Sequence, residues 1–182
     1  MKVIFVTGNE GKFREAESEL AEAGIELEQR KLPVPEIQAD TLEEVVHHSV
    51  EWTRRQIDGP FFLEDAGFFV DALKGFPGVY SAYAHKTVGL KGMVKLMEGK
   101  EDRAAGFQAV IGYWDGSQLH IFKGQCRGRM TDSLIGEGGF GYDPLFIPDG
   151  HEKTFAQMDP EEKNTISHRG MALHKMLEHL KG

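Results

Sequence analysis

The sequence predicts a mixed α/β fold, and three observations support this class. Short apolar runs alternate with amphipathic helical segments in the first half of the chain, which is the order that builds a sheet covered by helices. A β-hairpin is predicted in the middle, where residues 107–114 and 119–122 flank the turn Asp115-Gly116. The C-terminal segment again has apolar residues at helical spacing. We therefore expect a mixed sheet with flanking helices, formed by residues 1–182 as a single domain or as two small lobes that share one sheet.

The first half predicts two strands, each followed by a helix. Residues 3–6 form a short apolar strand, and a helical pattern runs from Gly11 to Gly24. A strand around Ile25 follows, with alternating apolar and charged residues. The next helix starts at Asp40 or Thr41, because both are good N-caps and each has a glutamate three residues later, Glu43 or Glu44. We expect it to reach about Ile57 and to turn these side chains inward: Leu42, Val45, Val46, Ser49 and Trp52.

The second half predicts shorter elements. Phe61-Phe62-Leu63 indicates a buried strand that ends at Glu64 and Asp65, and residues 68–73 indicate a separate strand. The strand that begins at residue 119 is expected to continue towards Arg129. The remaining predicted elements are a helix through Leu90, Met93, Val94 and Met97, a short strand at Leu145–Ile147, a helix that starts at Asp159-Pro160, and a last helix through Leu173, Met176, Leu177 and Leu180.

Composition excludes several classes of protein. The 182 residues carry a formal net charge of −8, whereas binding to long nucleic acid needs an extended basic face. No apolar run approaches the roughly 20 residues of a membrane span. Cys126 is the single cysteine, which rules out an internal disulfide framework and fits a reducing compartment. We therefore expect a cytoplasmic protein that binds neither membranes nor long nucleic acid.

The segment Thr7-Gly8-Asn9-Glu10-Gly11-Lys12 follows the first strand and opens the first helix. Free N–H groups at a helix start favour anions, and a lysine there adds a mobile positive charge. The segment is not a Walker motif, because Phe13 stands where that motif needs Ser or Thr. Taken alone, it fits an ordinary strand-to-helix turn with a solvated lysine better than it fits a phosphate site.

Glu64 and Asp65 form an acidic pair after a very apolar strand. Ligands of open α/β sheets bind beyond the carboxyl ends of such strands. Mg²⁺ prefers oxygen ligands, and one or two carboxylates with substrate phosphates complete its shell. A carboxylate can also act as the base for an attacking water. The alternative is a surface turn at which both acids face water.

Two further segments carry candidate binding residues. In Gly138-Gly139-Phe140-Gly141-Tyr142-Asp143-Pro144, glycines permit close backbone approach and the aromatic rings offer flat faces for a planar base. The alternative is a glycine-rich hairpin with packed aromatic residues. The run from Lys163 to Arg169 gathers two cations, a histidine and a serine, which suit phosphate or carbonyl oxygens. Its alternative is a solvated helix face.

Taken in order, these segments resemble the Ham1 or inosine triphosphate pyrophosphatase family, the non-canonical purine NTP pyrophosphatases. The matching residues spread over essentially the whole chain and include Thr7-Gly8-Asn9 with Lys12, Pro35-Glu36, Leu63-Glu64-Asp65 with Gly67, Leu73-Lys74-Gly75-Phe76-Pro77-Gly78-Val79-Tyr80-Ser81, Gly139-Phe140-Gly141-Tyr142-Asp143-Pro144, and Glu162-Lys163-Asn164 with Ser167-His168-Arg169. The resemblance implies an elongated mixed sheet, two lobes around a central cleft, and a homodimer.

The resemblance also implies an activity and its residues. It implies hydrolysis of ITP, dITP and XTP to the monophosphate and pyrophosphate, with Mg²⁺ held by Glu36 and Asp65. Asp65 would also activate the water. The implied substrate-binding residues are Thr7, Gly8, Asn9, Lys12, Ala66, Phe140, Gly141, Tyr142, Asp143, Lys163, His168 and Arg169. Because Arg169 offers only donors, we expect it to select the 6-oxo group of hypoxanthine and xanthine over the amino group of adenine.

The sequence departs from the family pattern at two places. Ala66 stands where prokaryotic members usually have serine, so only its backbone N–H is available to a phosphate. The helix after Glu36 lacks the lysine that often reaches the substrate, since it reads Val46-His47-His48-Ser49. Two alternatives therefore stay open: a house-cleaning pyrophosphatase for other modified nucleotides, and a non-catalytic nucleotide-binding regulator.

Overall fold

The computed structural model describes residues 1–182, which form seven strands and six α-helices. The strands are β1 (Lys2–Val6), β2 (Glu26–Arg30), β3 (Phe61–Val70), β4 (Pro77–Gly78), β5 (Ala104–Trp114), β6 (Leu119–Met130) and β7 (Phe146–Pro148). The helices are α1 (Glu10–Glu22), α2 (Leu42–Thr53), α3 (Ser81–Thr87), α4 (Gly89–Leu96), α5 (Pro160–Ile166) and α6 (His168–Lys181). No helix is long and apolar enough to cross a membrane.

One sheet contains all seven strands in the order β2-β1-β3-β5-β6-β7, with β4 paired to β3. β1 is parallel to both β2 and β3, whereas β4 is antiparallel to β3 and β7 is antiparallel to β6. A sheet with both kinds of pairing is a mixed sheet, so the predicted α/β class is confirmed. The hairpin of β5 and β6 around Asp115-Gly116 is confirmed as well.

The chain divides into two compact units. Unit 1 contains residues 1–65, 109–124 and 168–182, and unit 2 contains residues 66–108 and 125–167. In unit 1, Phe5 stacks on Phe62 with ring centroids 4.3 Å apart, and α1 packs against α6. In unit 2, the rings of Phe68, Phe107 and Phe146 pack within one buried cluster. The assignment of residues 1–182 to a single domain stays a prediction.

Local sequence signals explain where three of the six helices begin. The side chain of Asn9 caps α1 by accepting a hydrogen bond from Lys12 N. Of the two predicted N-caps of α2, Thr41 is the one that the structure uses, and it forms a capping box with Glu44 that satisfies two backbone N–H groups at this helix start. Pro160 opens α5, as expected for a residue whose fixed φ suits the first helical position.

Two predictions about strand ends are wrong. β3 runs without a break from Phe61 to Val70, so Glu64 and Asp65 lie in mid-strand and there is no separate strand over residues 68–73. Residues 71–73 form a 3₁₀ turn instead. The strand continues because Gly67 lets the backbone of β4 approach: a Cβ at this position would lie 2.4 Å from the carbonyl oxygen of Gly78.

The helices also differ from the predicted pattern. α3 has no counterpart in the predictions, and α2 ends at Thr53, four residues before Ile57. Trp52 is only partly buried, and Val50 and Thr53 lie in the core of unit 1 instead. Helix length and facing are set here by packing, which can override residue propensity.

Candidate active site

Unit 1 contains a cavity of about 250 Å³ that collects most of its predicted site residues. Its walls come from the end of β1, the first turn of α1, the loop before α2, one face of α2, and the middle of β3. The residues that line it are Val6, Thr7, Gly8, Lys12, Leu32, Val34, Pro35, Glu36, Val45, Ser49, Leu63, Glu64 and Asp65. Apolar side chains with a few convergent charged groups are typical of a ligand site.

The turn between β1 and α1 is held in place by its own side chains. The Thr7 hydroxyl oxygen accepts from the backbone N–H of Asn9 over 3.1 Å, and the Asn9 side chain accepts from the backbone N–H of Lys12 over 3.0 Å. Nothing lies within 4 Å of the position that a Cβ at Gly8 would occupy. The start of α1 is therefore fixed and open to an anion on the cavity side.

Lys12 places the positive charge of the cavity. Its Nζ donates to the backbone oxygen of Glu64 over 3.3 Å and lies 3.8 Å from a carboxylate oxygen of the same residue. The lysine side chain is 17% exposed, whereas the Glu64 side chain is 1% exposed. Buried Glu64 thus holds the Lys12 side chain in place, and Lys12 lines the cavity.

Arg169 connects this anchor to α1 and α6. Its Nε donates to one carboxylate oxygen of Glu64 over 2.8 Å, its Nη2 donates to the other over 3.2 Å, and its Nη1 donates to Glu15. Burial disfavours the charged form of Glu64, but the charges of Arg169 and Lys12 outweigh it and lower the pKa of this carboxyl. Burial likewise opposes the charge of Arg169, and Glu64 with Glu15 raises its pKa. Glu64 and Arg169 are therefore both ionised at neutral pH.

Glu36 and Asp65 are the two further carboxylates of the cavity. Glu36 is exposed on the loop before α2, and Asp65 lies in mid-strand on β3. The structure contains no group of three or more His, Cys, Asp or Glu residues arranged to hold a metal ion. Two carboxylates suit Mg²⁺, which keeps several waters and takes its other ligands from substrate phosphates. The donor set therefore fits this ion in the presence of a polyphosphate.

Unit 2 holds the second group of predicted residues, and its charges pair with each other. Lys163 Nζ donates to a carboxylate oxygen of Asp143 over 2.7 Å, and both side chains are 4% exposed. The same Asp143 oxygen accepts from the backbone N–H of Phe140 over 3.0 Å. Lys163 Nζ also lies 4.9 Å from the centre of the Phe140 ring. The pair therefore shapes the glycine-rich loop from within.

Tyr142 is a core residue, and its ring does not offer the free face that the sequence suggests. It is 4% exposed, stacks on Phe68 at 5.1 Å, and donates its hydroxyl to the backbone oxygen of Ser81 over 2.7 Å. Burial raises its pKa to about 12. Phe140, which is only partly buried, is the aromatic residue of the loop that retains accessible surface.

The predicted site residues therefore fall into two groups. The cavity of unit 1 brings together Thr7, Gly8, Lys12, Glu36 and Asp65. Asn9, His168 and Arg169 belong to the same unit but do not line this cavity, and His168 and Arg169 are each 3% exposed. Ala66, Phe140, Gly141, Tyr142, Asp143 and Lys163 belong to unit 2. That both groups bind one nucleotide in a central cleft stays a prediction.

The sequence carries little signal for the residues that support the cavity. It presents Glu64 as part of an acidic pair, but it does not predict that Glu64 anchors Lys12 and Arg169. Glu15 carries no local signal beyond its position three residues after Lys12 on α1. Ser49 was assigned only to the inward face of α2, yet it lines the cavity.

The fold and the cavity together define the class of protein. The Ham1 family model matches residues 3–179, so the chain belongs to the Ham1 family and the predicted resemblance is confirmed. Among solved structures, the chain is similar to the Ham1 protein of Staphylococcus aureus, with a TM-score of 0.85, 29% identity, and coverage of 100% of this chain and 99% of that one. A HAM1 protein from Coxiella burnetii also gives a TM-score of 0.85, at 28% identity, with 100% and 98% coverage.

Particular relatives narrow this class. The chain is 54% identical over 181 residues to the dITP/XTP pyrophosphatase of Thermococcus kodakarensis, covering 100% of this chain and 98% of the relative. It is 51% identical over 181 residues to the dITP/XTP pyrophosphatase of Pyrococcus horikoshii, covering 100% of this chain and 97% of the relative.

Proposed function

We propose that the protein hydrolyses non-canonical purine nucleoside triphosphates, namely ITP, dITP and XTP, to the monophosphate and pyrophosphate. This activity would clear damaged nucleotides from the pool. The observation that carries the proposal is the cavity in unit 1, where Lys12 and the start of α1 lie with the carboxylates of Glu36 and Asp65. The full-length similarity to two dITP/XTP pyrophosphatases supports the same reaction.

The proposed reaction requires that the negatively charged triphosphate lie beside the residues of the cavity in unit 1. Thr7 and Gly8 line the cavity beside the start of α1, where the positive end of the helix dipole favours the phosphates. The Lys12 ammonium group neutralises part of the phosphate charge. Since Lys12 is anchored on Glu64, its charge is already in place when the substrate binds, which lowers the cost of reorganisation.

Asp65 is the residue that we assign to the attacking water. The Asp65 carboxylate orients a water molecule and accepts a proton from it while the water oxygen attacks the α-phosphorus. The bond to the bridging oxygen then breaks, and pyrophosphate leaves. Asp65 suits this role because Glu64, its neighbour on β3, is already paired with Arg169 and Lys12.

We propose Mg²⁺ as the cofactor, which the carboxylates of Glu36 and Asp65 would hold. When bound, the ion neutralises phosphate charge and helps to align the leaving group. Glu36 lies on the loop before α2 and is exposed, so its carboxylate can take up the ion without breaking a buried contact.

The residues that we propose for recognition of the base are His168, Arg169 and Phe140, the aromatic residue of its loop that retains accessible surface. The contacts of Arg169 modify the expected selection of the 6-oxo group. Its Nε, Nη1 and Nη2 each donate to Glu64 or Glu15. Selectivity for a purine oxygen therefore depends on how firmly Glu64 and Glu15 hold the guanidinium of Arg169.

We further propose that the protein is a cytoplasmic homodimer. Four of the eight exposed large apolar side chains lie between residues 76 and 88, namely Phe76, Tyr80, Tyr83 and Val88. An exposed apolar patch of this kind is typical of a protein interface. Cys126 is a buried free thiol, which fits a reducing compartment.

The decisive experiment is a panel of nucleoside triphosphates assayed with Mg²⁺ for monophosphate and pyrophosphate together. We expect XTP, ITP and dITP to be cleaved with a kcat/KM at least about a hundredfold above that of ATP and GTP. Equal release of pyrophosphate from ATP and ITP would contradict the assigned specificity. Binding of nucleotide without release of pyrophosphate would favour the alternative of a nucleotide-binding regulator. Cleavage of other modified nucleotides instead of ITP and XTP would favour the alternative of a related house-cleaning pyrophosphatase.

The variant Asp65→Asn tests the assignment of the base. We expect kcat to fall by about a thousandfold, because general-base catalysis contributes on this order, with the thermal unfolding midpoint preserved. Asp58→Asn is the matched control, since Asp58 is exposed on the loop before β3 and lies outside the cavity. Turnover by Asp65→Asn close to that of the control would reject the role of Asp65.

A further inference from the structure

Helix α2 carries a hydroxyl group on an otherwise apolar face. The buried residues of this helix are Leu42, Val46, Ser49, Val50 and Thr53, which is the spacing of a stripe that faces the core. Ser49 is 7% exposed. A buried hydroxyl costs free energy unless it has a hydrogen-bond partner, so its surroundings need an explanation.

The Ser49 hydroxyl has no partner within the protein. A serine in a helix often donates its hydroxyl to the carbonyl four residues earlier, but the Ser49 hydroxyl makes no hydrogen bond to the Val45 carbonyl or to any other group of the protein. It is nonetheless not sealed off, because Ser49 and Val45 line the cavity that holds Lys12 and Asp65. The group is therefore a buried, unpaired donor at the wall of the candidate active site.

A second unpaired hydroxyl on the same helix, that of Thr53, serves as a comparison for Ser49. It lies one turn further along the same stripe, it is 0% exposed, and its hydroxyl also has no partner. Thr53 lines no part of the cavity, so no ligand in the cavity can reach it. An unpaired hydroxyl alone indicates no site, whereas one that faces a charged cavity does.

We propose that Ser49 is a substrate-binding residue whose hydroxyl donates to a phosphate oxygen of the triphosphate. This inference rests on the proposed function. A phosphate suits this position, because phosphate oxygens accept hydrogen bonds and the Ser49 hydroxyl can donate one. The carboxylates of Glu36 and Asp65 also line the cavity, but they are assigned to the ion and the water. Ser49 then supplies a neutral donor on the α2 wall beside the charged donor Lys12.

The test compares Ser49→Ala with Thr53→Val by isothermal titration of Mg²⁺ and imidodiphosphate, a non-hydrolysable pyrophosphate mimic. We expect Ser49→Ala to weaken binding by about tenfold, as for the loss of a hydrogen bond to a charged group. Thr53→Val removes an unpaired hydroxyl of similar burial from the same helix and should bind as the wild type does. Ser49→Cys keeps the size with a weaker donor and should fall between Ser49→Ala and the wild type.

The melting temperature of the ligand-free protein distinguishes a contact between Ser49 and the ligand from a role of Ser49 in the stability of the fold. Since the hydroxyl has no partner in the protein, Ser49→Ala should melt no lower than the wild type, and only the rise in melting temperature on adding imidodiphosphate should shrink. Wild-type affinity in Ser49→Ala overturns the proposal, and so does an equal loss in Thr53→Val. The mimic is not hydrolysed, so these outcomes do not depend on turnover. Failure of the wild type to release pyrophosphate from any purine triphosphate would instead defeat the proposed function.

Discussion

The two units each bury an ion cluster, and the clusters differ in what they leave exposed. In unit 1, Arg169 holds Glu64 and Glu15, and Glu64 in turn anchors Lys12, whose side chain is 17% exposed at the cavity. In unit 2, Lys163 and Asp143 satisfy each other and are 4% exposed. The first cluster delivers a charge to the cavity, whereas the second keeps its charges inside and holds a loop.

This difference separates two uses of buried charge. A buried pair adds little net stability over an apolar pair, but removing one partner is costly because the other stays charged in a poor solvent. We therefore expect loss of the unit 2 pair to affect stability most, and loss of the unit 1 anchor to affect both stability and activity. Three substitutions test this comparison, in order of decreasing effect on the free energy of unfolding.

The largest loss is expected for Lys163→Met. This change removes the ammonium group that faces Asp143 in the core of unit 2, and it should lower the free energy of unfolding by about 3–5 kcal/mol. Urea denaturation at pH 7 measures the loss. Lys153→Met is the matched control, since Lys153 is exposed and its loss should change stability by less than about 0.5 kcal/mol. Adding Asp143→Asn to Lys163→Met should recover part of the loss, and a loss equal to that of the control would refute the idea.

A smaller and pH-dependent loss is expected for Glu64→Gln. At pH 7 it should lower the free energy of unfolding by about 2 kcal/mol, because hydrogen bonds to charged groups are worth roughly this amount. It should also lower kcat/KM, since Lys12 loses its anchor. Glu17→Gln, an exposed change on α1, is the control.

The pH dependence of that loss follows from the lowered pKa of Glu64. A carboxyl with a lowered pKa stabilises the folded state above its ordinary pKa of 4.5, and this contribution disappears as the pH falls through the lower folded value. The difference in unfolding free energy between wild type and Glu64→Gln should therefore be constant above about pH 5 and shrink below 4.5. A difference that grows on acidification would contradict the proposed anchor.

The smallest loss is expected for Asp71→Asn in unit 2. Asp71 and Arg127 form a two-pronged ion pair with distances of 3.1 and 2.6 Å, but their side chains are 42% and 40% exposed. Exposed pairs contribute about 0–1 kcal/mol, and the effect should vanish in concentrated salt. If Asp71→Asn destabilised the protein as much as Lys163→Met, burial would not be what distinguishes these pairs.

Strand β3 shows which structural features can be predicted from the sequence and which cannot. Its apolar start and the acidic pair at Glu64 and Asp65 were predictable, because apolar runs and carboxylates are local signals. The continuation to Val70 was not, since it depends on β4 approaching Gly67 from elsewhere in the chain. Likewise, the aromatic ring of Tyr142 suggested a binding face, and only packing against Phe68 and Ser81 assigns it to the core.

The sequence by itself determined the α/β class, the capped start of α2 and the family resemblance, because these depend on residue type and spacing along the chain. That resemblance then identified Lys12, Glu36 and Asp65 as candidates. Only the tertiary structure decided that Glu64 and Arg169 form the buried anchor of Lys12 and that Ser49 lines the cavity. Glu64 and Arg169 are 105 residues apart in sequence. Whether such charges meet, and whether a hydroxyl faces a core or a cavity, is settled by long-range packing, on which local sequence patterns carry no information.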